Sequence, residues 1–188
     1  MSTNRFSWRL VDIATASVLG VTAGVVFWVW GLGWAAISTP IDALLPGVGA
    51  LLAAVWLFAG VLGGIIIRKP GAALLTEVIA ALVSALIGSQ WGLTALWSGV
   101  VQGLGAEIVF AVFAYKVFNA RVAALAGAAA GLAMGVNDLV LWYAGSAAAF
   151  AVVYIVSGVL GGALIAGLGS WGLSRALERS GALRRFGR

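Results

Sequence analysis

Apolar residues run along this chain in six long blocks, separated by short polar or glycine-rich breaks. The blocks cover about residues 11–30, 46–67, 72–88, 96–116, 122–143 and 150–173. A membrane-spanning helix takes ~20 mostly apolar residues. The pattern therefore predicts an all-α integral membrane protein with six transmembrane helices, forming a single membrane domain over 1–188. The first block is too long for a cleaved signal sequence, and no A-x-A site follows it. Between the first two blocks, Gly31, Gly33 and Pro40 predict a broken helix. Residues 31–45 read as the longest irregular segment between spans, placed to fold over a site, and Pro46-Gly47 reads as the start of the second helix.

Charge adds an orientation. The breaks on one side hold Arg5 and Arg9, Arg68 and Lys69, Lys116 and Arg121, and then Arg175, Arg179, Arg184, Arg185 and Arg188, which are all 11 cations of the chain. The breaks on the other side hold none. Cytoplasmic segments carry the excess of Lys and Arg, so both termini are expected in the cytoplasm of a multi-pass cell-membrane protein. An even number of spans agrees. The net charge of +5 thus reports topology rather than nucleic-acid binding.

Composition removes several chemistries. The chain is 63% hydrophobic with a mean hydropathy of +1.10, and it has no Cys and no His. A disulfide, a structural zinc site or a histidine base is not expected, and neither is a bound metal or other cofactor. No G-x-x-x-x-G-K-[ST] stretch occurs, so the chain supplies no ATP hydrolysis. The 27 glycines include many at four-residue spacing, which mostly means close helix packing. Ala16-x-x-x-Gly20 stands apart, because it lies near the cation-rich end of the first span and offers a flat patch to another membrane protein.

The remaining chemistry is acidic. Glu77 and Glu107 lie inside spans three and four, with Gln102 and Asn137 nearer the cation-free end and Asp138 beside Asn137. Counting along the helices places both glutamates near mid-membrane. An ionised side chain there costs roughly 2.5–3.5 kcal/mol on insertion scales, and no Lys or Arg shares that depth. The acids are protonated, or held by neutral donors on neighbouring helices, or they await a cationic ligand. Glu77, Glu107, Gln102, Asn137 and Asp138 are the candidate binding residues, with Asn137 and Asp138 about 100° apart so that one of the two faces the site. Trp28 and Trp34 are the candidate stacking residues among the tryptophans gathered at the cation-free end, where an interfacial belt is the plainer explanation.

Four stretches carry a resemblance. They are Trp8-x-x-x-Asp12-Ile13, the turn Arg68-Lys-Pro-Gly-Ala-Ala73 leading to Glu77, Gly88-Ser-Gln-Trp-Gly92, and Gln102-Gly-x-x-x-Glu107. In this order and spacing the chain resembles the YkoE-type S components of energy-coupling factor transporters over nearly its whole length. The resemblance implies a six-helix vitamin-capture subunit whose ligand is thiamine or its hydroxymethylpyrimidine precursor. It implies a transmembrane coupling subunit and ATPase subunits as partners, and membrane lipids around it. It implies that the first external loop, residues 31–45, acts as a lid, and that Ala16 and Gly20 meet the coupling subunit, Gly20 replacing the second alanine of the family patch. Some members carry an acid near position 84, where this chain has Ser84. Other readings of lone membrane acids are a proton-coupled exporter of cations, an intramembrane enzyme, for which no nucleophile–base pair is visible, and a non-transporting assembly factor.

Overall fold

The computed structural model describes residues 6–183. Within them the chain is helical, with no strand. Six helices follow one another: α1 Leu10–Leu44, α2 Ala50–Ile67, α3 Ala72–Leu86, α4 Thr94–Val112, α5 Ala120–Leu141 and α6 Ala148–Arg179. Five are long and apolar enough to cross a membrane, and α3 is a shorter apolar helix of 15 residues. α1 packs on α3, α3 on α4, α4 on α5 and α5 on α6, while α2 lies among α3, α4 and α6. α2 has the largest buried share of the five spans, as an interior helix should.

The expected break over residues 31–45 is absent. α1 runs unbroken through Gly31, Gly33 and Pro40 to Leu44. At ~1.5 Å per residue it is roughly 50 Å long, well beyond the ~30 Å hydrocarbon core. Proline removes one amide donor, and a helix end already near the interface tolerates that. Asp42 then fixes the exit, its Oδ1 accepting the amides of Gly47 (3.2 Å) and Gly49 (2.9 Å). Pro46-Gly47 is a turn ahead of α2 rather than its first residues. Gly47 has φ +95°, a conformation glycine adopts without a steric penalty.

α2 is the converse case. It has no glycine or proline from Ala50 to Ala59, yet it narrows to a 3-10 turn at Ala54–Leu57 and restarts as an α-helix at Phe58–Ile67. The second half therefore has its own N-terminus inside the bundle.

The cations gather at one end. Asp12 forms ion pairs with Arg9 (3.0 Å) and Lys69. The Trp8 indole donates to the Pro70 carbonyl (3.0 Å), and Arg68 meets Glu178 and lies over the Phe118 ring. The start of α1, the α2–α3 turn, the α4–α5 turn and the end of α6 are thus tied together. Arg5, Arg184, Arg185 and Arg188 lie outside the described residues.

Glycines set the closest helix pairs. Ala16 is fully buried, and a Cβ on Gly20 would meet Ile79 and the Thr76 carbonyl of α3. The patch expected to receive another membrane protein is therefore covered by this chain's own α3. On α5, a Cβ at Gly127 or Gly131 would fall on the carbonyl oxygens of Gly162 and Gly158 of α6. Backbone cannot yield as a flexible side chain can. Gly131→Val is expected to lower stability by about 3 kcal/mol, read as a fall in the thermal midpoint in detergent. An unchanged midpoint would mean the two helices are not in backbone contact.

Candidate functional site

Toward the cation-free end the helices enclose a cavity of about 290 Å³. Its lining includes Trp34 of α1, Trp56 of α2, Glu77 and Ser84 of α3, Gln102 of α4 and Asp138 of α5, and Tyr154 of α6 closes it. The α3–α4 loop adds Trp91, and the α5–α6 turn adds Tyr143. Trp34, Trp56 and Trp91 form an edge-to-face series, with ring centroids 4.8 and 4.7 Å apart. The Trp56 indole donates to the Phe27 carbonyl at 3.1 Å, which fixes the middle ring.

Glu77 sits at the break in α2. Its Oε2 accepts the amide of Gly60 at 2.6 Å. Gly60 is the third residue of the restarted helix, and the first amides of a helix have no partner in a preceding turn. Their aligned dipoles carry about half a positive charge. The cation-free depth of the membrane therefore holds a positive group after all, made of backbone. Glu77 is 1% exposed, and its Oε1 has no hydrogen-bond partner among the described residues. One oxygen holds the helix and the other is buried and unpaired, on a residue that lines the cavity.

Glu107 belongs elsewhere. It accepts the amides of Gly71 (2.7 Å), Ala73 (2.9 Å) and Leu74 (3.2 Å) and the hydroxyl of Tyr115 (2.7 Å). It caps the N-terminus of α3 at the cation-rich end and does not line the cavity. The mid-membrane depth expected for it fails because α4 ends at Val112 rather than at 116. Burial and the Glu107 carboxylate together raise the Tyr115 phenol above its usual range, so it stays a donor.

The Asn137-Asp138 pair divides its work. Asp138 lines the cavity and accepts from Tyr154 (2.9 Å) and Asn137 (3.1 Å). Asn137 turns toward α4, accepting from Trp97 (3.0 Å) and donating to Ser98 (3.1 Å), so it braces Asp138 and does not line the cavity. Trp28 stands in a separate notch with Gly31, Gly88 and Gln90. Of the sequence candidates, the structure brings together Glu77, Gln102, Asp138 and Trp34; Glu107, Asn137 and Trp28 lie outside the cavity. Sequence reasoning missed Trp56, Trp91, Ser84, Tyr143 and Tyr154. A tyrosine and a tryptophan deep in spans two and six were the available hints, since each polar atom needs a partner there.

Among the described residues the bundle holds a small cavity lined by indole and phenol rings and two acids, the build of a small-molecule site in a membrane protein. A solved structure described as an S component of an ECF transporter superposes with a TM-score of 0.85 at 32% identity, covering 94% of this chain and 89% of that one. A Bacillus subtilis (strain 168) protein described as "Putative HMP/thiamine permease protein YkoE" is 36% identical over 183 residues, 94% of this chain and 88% of that protein. Residues 11–133 match a family described as the permease component of an ABC-type cobalt transport system. The fold is that of the S components, the membrane subunits of energy-coupling factor transporters. Within them, the chain belongs to the YkoE-type family, and it is a transport component rather than an enzyme.

The two glutamates make opposite demands on stability. Glu107→Gln is expected to destabilise by about 2 kcal/mol, because buried amides lose a charged acceptor. Glu77→Gln, which replaces an acid having one unpaired oxygen by an amide of the same shape that can still accept from Gly60, is expected to leave the thermal midpoint unchanged or slightly higher. A larger loss for Glu77→Gln than for Glu107→Gln would reverse the division of roles.

Proposed function

We propose that the chain captures hydroxymethylpyrimidine or thiamine on the outer face of the membrane for an ECF importer. The observation that carries this is the unpaired Glu77 oxygen at a cavity walled by indole and phenol rings. The aminopyrimidine shared by both ligands has an exocyclic amine to donate to that oxygen. Thiamine adds a thiazolium, which suits Asp138 and the faces of Trp142 and Tyr143 through charge and cation–π attraction. Gln102 supplies an amide edge. The cavity volume lies near the lower end of the ~300–1,000 Å³ usual for small-ligand sites, which fits one or two heterocyclic rings.

The donor set favours an organic cargo over a cobalt ion. First-row transition ions are held by imidazole or thiolate, and this chain has neither. Among the described residues no group of three or more acids, histidines or cysteines is placed to hold a metal.

Calorimetry in detergent tests the reading. Wild type is expected to bind thiamine or hydroxymethylpyrimidine, with Glu77→Gln at least tenfold weaker for both and Asp138→Asn weaker mainly for thiamine. Binding of neither compound, or a Glu77→Gln variant as tight as wild type, would refute it.

On this reading both termini lie in the cytoplasm, where a transmembrane coupling subunit and ATPase subunits would engage the cation-rich end and supply the ATP hydrolysis. The cysteine-free sequence makes this readable. Ser146→Cys is expected to react with an impermeant maleimide on intact cells, and Lys116→Cys only after permeabilisation. The reverse pattern would invert the protein.

A further inference from the structure

Glu107 lies at the other end of α3 from the cavity mouth, yet it acts on the helix that carries Glu77. Ala73 and Leu74, whose amides it holds, lie four and three residues before Glu77, on the same stretch of helix. That stretch is wedged between two glycines. A Cβ on Gly60 of α2 would meet Glu77 Oε2 at 3.1 Å and the Ala73 carbonyl at 3.2 Å. A Cβ on Gly103 of α4 would meet Glu77 Cβ and Leu74 Cα, both at 3.1 Å. Gly103 and Glu107 are one turn apart on α4, so the same face that lets α3 approach also clamps its end. The carboxylate therefore fixes how far α3 can slide along α4. The 2.6 Å contact of Glu77 with Gly60 holds only at that height.

The fourth donor to Glu107 comes from a strained turn. Ala114 and Tyr115 have φ of +51° and +52°, the left-handed region that non-glycine residues seldom occupy. The pair of conformations turns the chain back after α4 and delivers the Tyr115 hydroxyl to Glu107. Such strain persists where surrounding contacts enforce it. Here those contacts belong to the cation-rich end, where Lys116 follows immediately.

We infer that Glu107 and Tyr115 are positioning residues, linking the α4–α5 turn at the cation-rich end to the height of Glu77 in the cavity, so that a change at that turn alters ligand affinity. The link itself stands on the contacts above; its effect on affinity rests on the proposed ligand site.

The test has two arms that fail separately. Hydrogen exchange is measured without ligand in wild type and Tyr115→Phe. The amides of residues 58–61 are expected to exchange several-fold faster in the variant, while those of the α5–α6 contact stay unchanged. Faster exchange confined to residues 71–76 would reduce Glu107 to a local cap and overturn the inference. Thiamine affinity is then measured in a double-mutant cycle. Tyr115→Phe is expected to weaken binding several-fold in wild type and to have no further effect on Glu77→Gln. Equal fold-losses in both backgrounds would also overturn it. Should wild type bind neither thiamine nor hydroxymethylpyrimidine, the ligand reading falls and the exchange arm alone decides the link.

Discussion

A carboxylate set against the first amides of a helix is the interaction this structure turns on, and it is used twice. Glu107 closes the start of α3, and Glu77 closes the restarted half of α2. Each acid would be unaffordable alone in hydrocarbon, and each N-terminus would leave amides without partners. In each pair the acid gains donors and the helix start gains an acceptor; around Glu77 this happens at a depth that no Lys or Arg shares, whereas Glu107 does so at the cation-rich end. The two sites then differ in capacity. Four donors converge on Glu107 and leave it structural, whereas one donor reaches Glu77 and leaves its second oxygen unpaired. Partial satisfaction, rather than the presence of an acid, distinguishes the proposed binding group from the brace.

That distinction was not legible in the sequence, and the reason is instructive. The hydrophobic blocks and the one-sided cations give six helices and the clustering of the cation-bearing turns. They also single out the acids, two of which, Glu77 and Asp138, line the cavity. They do not give the acids' partners: those of Glu107 are amides just past a turn that Pro70-Gly71 does announce, but that of Glu77 is an amide beside a helix break that no residue announces. Ala54-Val-Trp-Leu57 contains no breaker and is interrupted; Gly31, Gly33 and Pro40 are breakers and are not. Local propensity is a weak prior against tertiary context. In α2 that context is Glu77, which rewards free amides, and beyond Trp30 it is an interface that imposes no competing fold on α1. Asn137 and Asp138 show a finer limit. The 100° between them requires that they part, but only the position of α4 decides which one is turned away from the cavity.

The small-residue spacing was legible as packing and misleading as surface. Gly20 and Ala16 read equally well as an external patch or as an internal seam, since both uses need the same missing side chains. The neighbour that fills the seam, Ile79, is a bulky residue 59 positions on, and nothing near Gly20 in sequence points to it. The α5–α6 seam is different in kind. There, glycine faces glycine, backbone against backbone, and α6 loosens into a π-helical turn over Gly162–Leu168 as it passes. The result is a rigid wall, from which Asp138 and Tyr154 reach the cavity as a bonded pair.

Opposite that wall stands α3, the shortest helix of the bundle, carrying Glu77 and Ser84. The cavity is thus bounded by one side that is locked through backbone contact and one side held through carboxylate caps. Backbone contact between glycines leaves no intermediate arrangement, because any separation loses the close fit at once. A cap is a set of discrete hydrogen bonds that can be exchanged for others. A capture subunit must hold a small cation firmly enough to take it from dilute solution, and must also let it go. Under the proposed ligand reading, those needs fall to different walls: Asp138 and Tyr154 form a bonded pair on the glycine-packed side, while Glu77, the acid proposed to meet the ligand's donor, rides on the helix that Glu107 caps at the far end.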